Sequence, residues 1–238
     1  MKQEQQNLAR DAEAAPVVLD LEACETNWEI TTGRTVRGYG FNGQVPGPTI
    51  EASIGDTVLF RLKNSLPEPT SIHWHGLRIP AVMDGTNAVR PGETFEYRFR
   101  LPDAGTFLYH PHVNEMEQLE RVLYGAIIVR GPDEPTLDDE RVLMLDDLKL
   151  NRRGRLARSG GLMERMRGRE GKTRLVNGRV EPEITIAAGQ IERWRLVNAA
   201  RTRPTYPLRA GSGSLGFRTT GREAGCTTVT SSSIMRRG

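Results

Sequence analysis

The sequence predicts an all-β protein built as a Greek-key β-sandwich, and three observations support this prediction. Short segments in which apolar and polar residues alternate recur along the chain. Glycine and proline are frequent, at 25 and 14 of 238 residues, and helical periodicity is confined to one short segment. Strands separated by closely spaced turns are typical of antiparallel sandwiches.

The predicted strands follow one another in the first half of the chain. The segment at 95–100 (FEYRFR) alternates most clearly, with its aromatic residues placed to face a core and its charged residues to face solvent. The turn-rich stretch at 38–47 interrupts the series, and 114–121 is the one helical-looking segment before the linker. The predicted strands of this half lie at residues 17–21, 28–31, 57–63, 71–77 and 95–100.

Composition divides the chain into four parts. Residues 1–15 form a polar arm, residues 16–132 a first domain, residues 133–203 a second and shorter unit, and residues 204–238 a tail rich in Gly, Ser, Thr and Arg. The second unit contains predicted strands at 142–148, 175–180 and 191–199, with a polar, arginine-rich loop at 151–172 between the first two. The tail lacks apolar alternation, which predicts either disorder or a shift of the coding frame near Arg203.

The charge distribution argues against several classes of partner. From Arg201 onward there are seven basic residues and one acidic residue, so the preceding part carries a net negative charge although the chain totals +3. A nucleic-acid-binding face is therefore not expected on the folded part. No run of about 18 apolar residues occurs, so we expect no transmembrane helix. The polar start does not resemble a signal peptide.

All four histidines of the chain fall in two His-x-His pairs, His73 with His75 and His110 with His112. Residues two apart on a strand face the same side, so each pair directs two imidazoles to one place while Trp74 and Pro111 turn away. A single buried histidine is more often a core residue, but two tight pairs favour a metal site. Imidazole ligands suit copper or zinc better than calcium or magnesium, and the spacing alone does not choose between copper and zinc.

Several motifs in fixed order extend the pattern beyond the histidines. These motifs, together with the two His-x-His pairs, resemble the first cupredoxin domain of laccase-like, three-domain multicopper oxidases. The resemblance is dense over about residues 16–132 and thinner up to Arg201. The motifs lie at residues 40–50 (GFNGQVPGPTI), 55–56 (GD), 73–76 (HWHG), 83–85 (MDG), 104–106 (AGT), 109–112 (YHPH) and 123–129 (LYGAIIV).

The resemblance implies a cofactor, a ligand set and a reaction. In that family the first domain supplies half the ligands of a trinuclear copper cluster, where dioxygen is reduced to water with electrons from a small reducing substrate. By position, His73 resembles a type 2 copper ligand, and His75, His110 and His112 resemble type 3 ligands. The family is often exported, which implies a periplasmic or extracellular location.

Other parts of the family pattern are not found in the sequence. The remaining ligands come from a last copper domain with a His-Cys-His motif, whereas Cys24 and Cys226 have no histidine neighbours. The resemblance therefore implies one complete cupredoxin domain, an incomplete second one and no last domain. We expect the isolated chain to be inactive as an oxidase. One alternative is a non-enzymatic copper-binding fragment. The other is a structural or interaction protein, and the histidines argue against this second alternative.

Three residues near the histidines have competing interpretations. The family places an acid at the position of Asp84 and gives it a part in proton delivery, whereas an Asp-Gly pair also shapes turns without any chemistry. Met116 follows the second pair, but it is expected to pack or to lie on the surface, since a thioether ligand belongs to a type 1 copper site. Trp74 is expected to pack behind the histidines.

Overall fold

The computed structural model describes residues 15–135, 137–157, 171–185 and 192–200, together with four short strands beyond Arg201. The first domain contains eight strands and one short α-helix, α1 (Glu115–Glu120), and the following unit contains three strands. The strands are β1 (Val17–Thr31), β2 (Arg34–Phe41), β3 (Ile50–Ser53), β4 (Thr57–Asn64), β5 (His73–His75), β6 (Thr94–Arg100), β7 (Gly105–His110), β8 (Gly125–Arg130), β9 (Asp139–Leu148), β10 (Thr173–Val176) and β11 (Glu192–Asn198).

The first eight strands form two four-stranded sheets that pack face to face. One sheet has the order β2-β1-β4-β6, and the other has the order β3-β8-β7-β5. The pairs β1–β4 and β3–β8 are parallel, and the remaining neighbours are antiparallel. Because neighbours in a sheet are mostly distant in sequence, the chain crosses repeatedly between the sheets. This arrangement confirms the predicted all-β sandwich.

Alternating burial along the strands produces the core between the sheets. In β4, Val58, Phe60 and Leu62 are buried, and in β6 Tyr97 and Phe99 are buried while the charged residues between them are exposed. The Trp74 ring stacks on Phe60, with 4.5 Å between the ring centroids. Burying these large side chains removes much apolar surface from water, which stabilises the sandwich. It also fixes the strand that carries the first histidine pair.

Tyr109, the residue before His110, is held in a narrow slot. Its side chain is fully buried, and its hydroxyl donates a hydrogen bond of 2.7 Å to the carbonyl oxygen of Pro48. A Cβ atom at Gly125 would lie 2.3 Å from the tyrosine ring, and one at Gly47 would lie 2.7 Å from its hydroxyl. Glycine is required at both positions because the neighbouring ring has no space to move in a packed core.

A Gly125→Ala substitution is expected to destabilise the protein by about 3 kcal/mol, at the upper end of what overpacking costs. Gly131→Ala is the matched control, because a Cβ there would meet only the Cβ of Ala104, at 3.1 Å. Denaturant unfolding of both variants and the wild type measures the difference. Equal stability of the two variants would contradict the role assigned to the slot.

The second unit packs on the outside of the first domain through a shared hydrophobic cluster. Strands β10, β9 and β11 are consecutive neighbours in its five-stranded sheet, with β9 and β11 parallel. Trp28 Nε1 donates a 3.0 Å hydrogen bond to the carbonyl oxygen of Gly178, and the Tyr124 hydroxyl donates a 2.7 Å hydrogen bond to Asp146. The cluster between the units contains Trp28, Ile30, Val36, Leu108, Leu119, Val122, Tyr124, Ala126, Met144, Leu148, Leu175, Val197 and Ala199.

A set of ion pairs, here called the Arg–Glu clamp, joins the two units at the linker. Arg195 in β11 pairs with Glu134 and Glu140 and also donates a 2.8 Å hydrogen bond to the Thr106 hydroxyl in β7. The clamp therefore ties the second unit to the strand that ends at His110. Its members are Glu51, Arg130, Glu134, Glu140, Arg193 and Arg195.

The clamp predicts a loss of stability in acid. Burial raises the pKa of Glu140, but hydrogen bonds from Arg130 and Arg195 outweigh burial and hold that pKa below its usual 4.5. The clamp therefore stabilises fully above about pH 4.5, and its contribution disappears as the pH falls through the lowered pKa of the folded state. Glu140→Gln is expected to cost about 3 kcal/mol at neutral pH and to flatten this acid dependence.

Unfolding free energies between pH 3 and 7 would measure both effects. Glu117→Gln is the control, because Glu117 pairs with Arg121 on the exposed surface of α1 and such pairs contribute about 0.5 kcal/mol or less. An unchanged pH profile in Glu140→Gln would contradict the assigned role.

Element boundaries differ from the sequence-based ones in a few places. The two short strands predicted at 17–21 and 28–31 are one long strand, β1, which pairs in parallel with β4 in its first half and antiparallel with β2 in its second. The turn-rich stretch predicted from residue 38 begins later, because β2 extends to Phe41. The segment predicted as helical contains α1, as expected.

The division into four parts stays a prediction. The polar arm lies outside the described residues except for residue 15, as do most of the loop predicted at 151–172 and residue 191 of the last predicted strand. Four short strands fall in the region for which disorder or a frame shift was predicted: Thr205–Ala210, Gly213–Arg218, Thr227–Thr228 and Ser233–Met235. The first two pair with each other, and the last two pair with β11.

Candidate metal centre

Three of the four histidines lie on two neighbouring strands, and His112 lies just beyond the end of the second strand. His73 and His75 are the first and last residues of β5, and His110 ends β7. In the antiparallel pairing of these strands His73 lies opposite His110, and Trp74 lies opposite Tyr109. Because alternate residues face opposite sides of the sheet, Trp74 and Tyr109 enter the core while the histidines face outward together. The predicted orientation of the first pair and the packing role of Trp74 agree with this structure, whereas His112 does not lie on a strand as predicted, because β7 ends at His110.

Three of the four imidazoles form a compact group. One ligand nitrogen from each of His73, His75 and His110 lies within 4.8 Å of the others. The ring of His112 is also close, with its centroid 5.6 Å from that of His73. His73 is thus in contact with the other three rings, since its centroid lies 5.4 Å from that of His75 and 5.1 Å from that of His110.

Exposure changes across the site from His110 to His112. His110 is fully buried, His73 and His75 are half-buried, and His112 is exposed. The site is therefore closed on the side of the sandwich core and open to solvent on the side of His112.

The hydrogen bonds of His110 leave one nitrogen directed into the site. Its Nδ1 lies 2.8 Å from the carbonyl oxygen of Pro111, so Nδ1 carries the proton and donates. Its Nε2 is buried and has no hydrogen-bond partner among the described residues. Burial, together with smaller effects of the neighbouring histidines, lowers the pKa of His110 to about 3 against the opposing effect of the hydrogen bond to the Pro111 carbonyl. The imidazole is therefore neutral, with a free lone pair on Nε2.

Asp84 contacts the site through His73. One carboxylate oxygen, Oδ1, lies 2.7 Å from His73 Nδ1 and also accepts a 2.9 Å hydrogen bond from the backbone amide of Trp74. Burial raises the pKa of Asp84, but these hydrogen bonds outweigh burial and hold the pKa below its usual value, so the group is a carboxylate. Because the ionised carboxylate accepts a hydrogen bond from Nδ1 of His73, the proton stays on Nδ1 and the lone pair of Nε2 is available to a metal, as in the carboxylate–histidine pairs of metal sites.

The turn that contains Asp84 brings the backbone between the two histidine pairs. Asp84 follows a short 3₁₀ helix (Ala81–Met83), and Gly85 has a φ of +79°, which favours glycine. A Cβ at Gly85 would lie 2.8 Å from the Cβ of His112 and 3.2 Å from that of His73. Asp84 therefore both belongs to a turn and hydrogen-bonds a candidate ligand.

Sequence reasoning missed several polar residues behind the histidines, including Ser71 and Gln118. Both are fully buried although they are polar. Neither belongs to a recognisable spacing pattern, so only the three-dimensional structure shows that Ser71 contacts His112 and that Gln118 contacts the segment before the first histidine pair. Met116 has an exposed fraction of 37%, in agreement with its expected place at the surface.

The residues present fit a copper or zinc ion. Four imidazoles converge, one of them presents an unpartnered buried nitrogen, and a carboxylate fixes the tautomer of another. Calcium and magnesium prefer oxygen ligands, whereas the ligand atoms of this group are imidazole nitrogens. The fold and site define a cupredoxin-like β-sandwich with a candidate histidine metal centre on the edge of one sheet.

Comparison with known proteins identifies the family. Residues 22–134 match the family model described as multicopper oxidase. The chain is 37% identical over 154 residues to copper resistance protein A of Escherichia coli, and 40% identical over 120 residues to multicopper oxidase MmcO of Mycobacterium tuberculosis. Residues 22–134, which contain all four histidines, therefore form a multicopper oxidase domain.

The matches cover much of this chain but a smaller share of its relatives. The two alignments include 58% and 48% of this chain, but only 25% and 23% of the respective relatives. A crystal structure of a multi-copper oxidase from Pseudomonas thermotolerans superimposes with a TM-score of 0.76 at 35% identity, covering 82% of this chain and 49% of that chain. The chain therefore spans about half of the length of this solved structure.

Within the described ranges, no helix has the length and apolar character needed to cross a bilayer.

Proposed function

We propose that His73, His75, His110 and His112 bind copper as one half of the ligand set of a trinuclear cluster. The protein that contains this cluster would oxidise a small reducing substrate and reduce dioxygen to water. The observation that carries the proposal is the compact group of His73, His75 and His110, into which His110 directs an unpartnered buried nitrogen. Membership of a family named for copper-dependent oxidation selects copper over zinc.

Within this half-site we assign the ligands by their position in the family motifs. His73 is proposed as a ligand of the type 2 copper, and His75, His110 and His112 as ligands of the type 3 coppers. Different surroundings of the two residues support this assignment, because His73 has a hydrogen bond of 2.7 Å to the Asp84 carboxylate, whereas Nδ1 of the buried His110 lies 2.8 Å from a carbonyl oxygen and 3.9 Å from the Glu115 carboxylate. The remaining ligands would approach from the open side, next to His112.

The residues of this chain prepare the site for the reaction in two ways. Copper, when bound, supplies the one-electron steps that carry electrons from the reductant to dioxygen. Because His110 is neutral and the Asp84 carboxylate holds the proton of His73 on Nδ1, both imidazoles can bind copper through a nitrogen lone pair without first losing a proton. Since reduction of dioxygen to water consumes four protons, we also propose that Asp84 carries protons to the site. Its half-buried position allows exchange with solvent.

These 238 residues alone are proposed to bind copper without sustaining oxidase turnover. They contain four histidines, all in the site described, and neither Cys24 nor Cys226 has a histidine neighbour. An electron-accepting copper with a cysteine ligand and the other half of the cluster would have to come from outside this sequence. The second candidate function is non-enzymatic copper binding, which is favoured because these residues contain four histidines and no cysteine with a histidine neighbour.

The reductant and the location of the protein are proposed only as classes. The relatives include proteins named copper resistance protein A, L-ascorbate oxidase and laccase-2, so their names do not select one reductant. We propose a small phenol, metal ion or similar electron donor, and a periplasmic or extracellular location as in exported members of the family.

The experiment that tests these proposals combines metal content with oxygen uptake. The purified 238-residue chain is loaded with copper, its copper content is determined by elemental analysis, and oxygen uptake is followed with a phenolic reductant. We expect bound copper and no oxygen uptake above that of free copper. Absence of bound copper would overturn the proposed site. Turnover that is lost in His112→Ala would overturn the proposed inactivity and show an electron-entry site within this chain.

A further inference from the structure

A second set of buried contacts lies directly behind the histidines and joins the two segments that carry them. Residues 69–71 immediately precede the first histidine pair, and residues 112–118 contain the last histidine and the start of α1. The two segments are more than 40 residues apart in sequence, and polar side chains rather than a continuous β-ladder connect them.

Ser71 connects the segments at the histidine itself. Its hydroxyl oxygen accepts hydrogen bonds from the backbone amides of His112, at 3.2 Å, and Val113, at 3.1 Å. Strand β7 ends at His110, so these amides lie beyond the ladder that positions the first three histidines. The buried hydroxyl takes the place of a strand partner for them.

Gln118 makes the second connection, one helical turn further on. Its side-chain oxygen accepts a 2.7 Å hydrogen bond from the Thr70 hydroxyl, and its Nε2 donates a 2.8 Å hydrogen bond to the carbonyl oxygen of Pro69. Thr70 is anchored in turn, because its backbone amide and carbonyl both pair with Val89. A fully buried amide with partners on both atoms fixes the position of α1.

We infer that Ser71 and Gln118 are positioning residues that place His112 at the metal centre, an inference that rests on the proposed copper-binding function. His112 depends on them more than the other histidines do. It is exposed, it lies outside β5 and β7, and it is absent from the compact group formed by His73, His75 and His110. Gly85 limits its approach from the other side. The connections therefore decide how far His112 lies from His73.

Copper(II) binding by the full 238-residue chain tests this inference. Ser71→Ala is expected to weaken copper binding about tenfold, as loss of an outer partner of a ligand does, and to change the electron paramagnetic resonance spectrum of bound copper(II). Ser71→Thr keeps a hydroxyl and is expected to restore most of the affinity and the spectrum. Ser65→Ala removes an exposed serine hydroxyl, which bonds Glu22, and is expected to change neither.

A double-mutant comparison separates positioning from a general loss of stability. If Ser71 acts through His112, Ser71→Ala has no further effect on copper affinity in a His112→Ala background. An equal loss in both backgrounds would overturn the inference, as would wild-type affinity and spectrum in Ser71→Ala. Should Ser71→Ala fail to fold, as judged by thermal unfolding of the copper-free chain, Gln118→Met provides the same comparison.

The outcomes also distinguish this inference from the function on which it rests. A wild-type chain that does not bind copper, or copper binding that survives His73→Ala and His110→Ala, would overturn the proposed function and this inference with it. Histidine-dependent copper binding that is insensitive to Ser71 and Gln118 would overturn this inference alone.

Discussion

Replacing His110 with alanine is expected to lower the affinity for copper by more than about 100-fold, beyond the range caused by loss of an outer partner. His110 is the most buried of the four histidines and belongs to the compact three-histidine group. Its Nε2 is unpartnered and its pKa, lowered by burial to about 3, keeps the ring neutral. No rearrangement or deprotonation precedes binding, so this ligand contributes its full binding energy.

Leu108→Ala is the matched control for His110→Ala. Leu108 lies two residues earlier on β7 and is fully buried in the cluster between the two units. Its truncation is expected to destabilise the fold by about 2–5 kcal/mol while copper affinity stays near the wild-type value. Competition titrations with a copper chelator measure the affinities, and denaturant unfolding measures the stabilities. Equal copper affinity in His110→Ala and the wild type would exclude His110 as a ligand.

The histidine site was accessible from the sequence because its signal is local. Each His-x-His pair has the two-residue spacing of a strand, which predicted two imidazoles on one side before the pairing of His73 with His110 was known. Only His112 departs from this pattern, because β7 ends at His110. The alternation of 95–100 placed Tyr97 and Phe99 in the core for the same reason. Period-two patterns report orientation without any knowledge of which strands are neighbours.

The contacts that support the site were not accessible in this way. Ser71 and Gln118 are 47 residues apart in sequence, but their hydrogen bonds join the same two segments. The Arg–Glu clamp joins residues of β8, the linker and β11. A single buried serine or glutamine has no periodic signature, and arginine and glutamate are common on surfaces. Their roles depend on the pairing of distant segments, which no local pattern encodes.

The sequence also left the role of Asp84 divided between a turn and proton delivery. The structure adds a contact that neither interpretation includes, namely the 2.7 Å hydrogen bond with His73 Nδ1. A turn residue alone would leave the imidazole free to rotate or to change tautomer. The hydrogen bond means that the carboxylate also orients the His73 ring. This effect can be measured through copper binding, without oxidase turnover.

Asp84→Asn is therefore expected to weaken copper binding by about 10- to 100-fold, the usual cost of removing the outer partner of a histidine ligand. The ionised carboxylate of Asp84 only accepts hydrogen bonds, so it holds the proton on His73 Nδ1 and leaves Nε2 free. A neutral amide loses the charge-assisted bond and can present its NH₂ group to Nδ1 instead. The proton then moves to Nε2, where it competes with the metal.

Asp103→Asn is the control, because Asp103 is another carboxylate with a lowered pKa, but its partner is Arg78 at the surface. It is expected to leave copper affinity unchanged. If Asp84 acts only in proton delivery, Asp84→Asn will bind copper as tightly as the wild type, and any effect will appear only in an assembled, oxygen-consuming enzyme. If it acts only as a turn residue, asparagine, which also favours turns, will leave both copper affinity and the copper(II) spectrum unchanged. A weaker affinity with a changed spectrum distinguishes orientation of His73 from both of these roles.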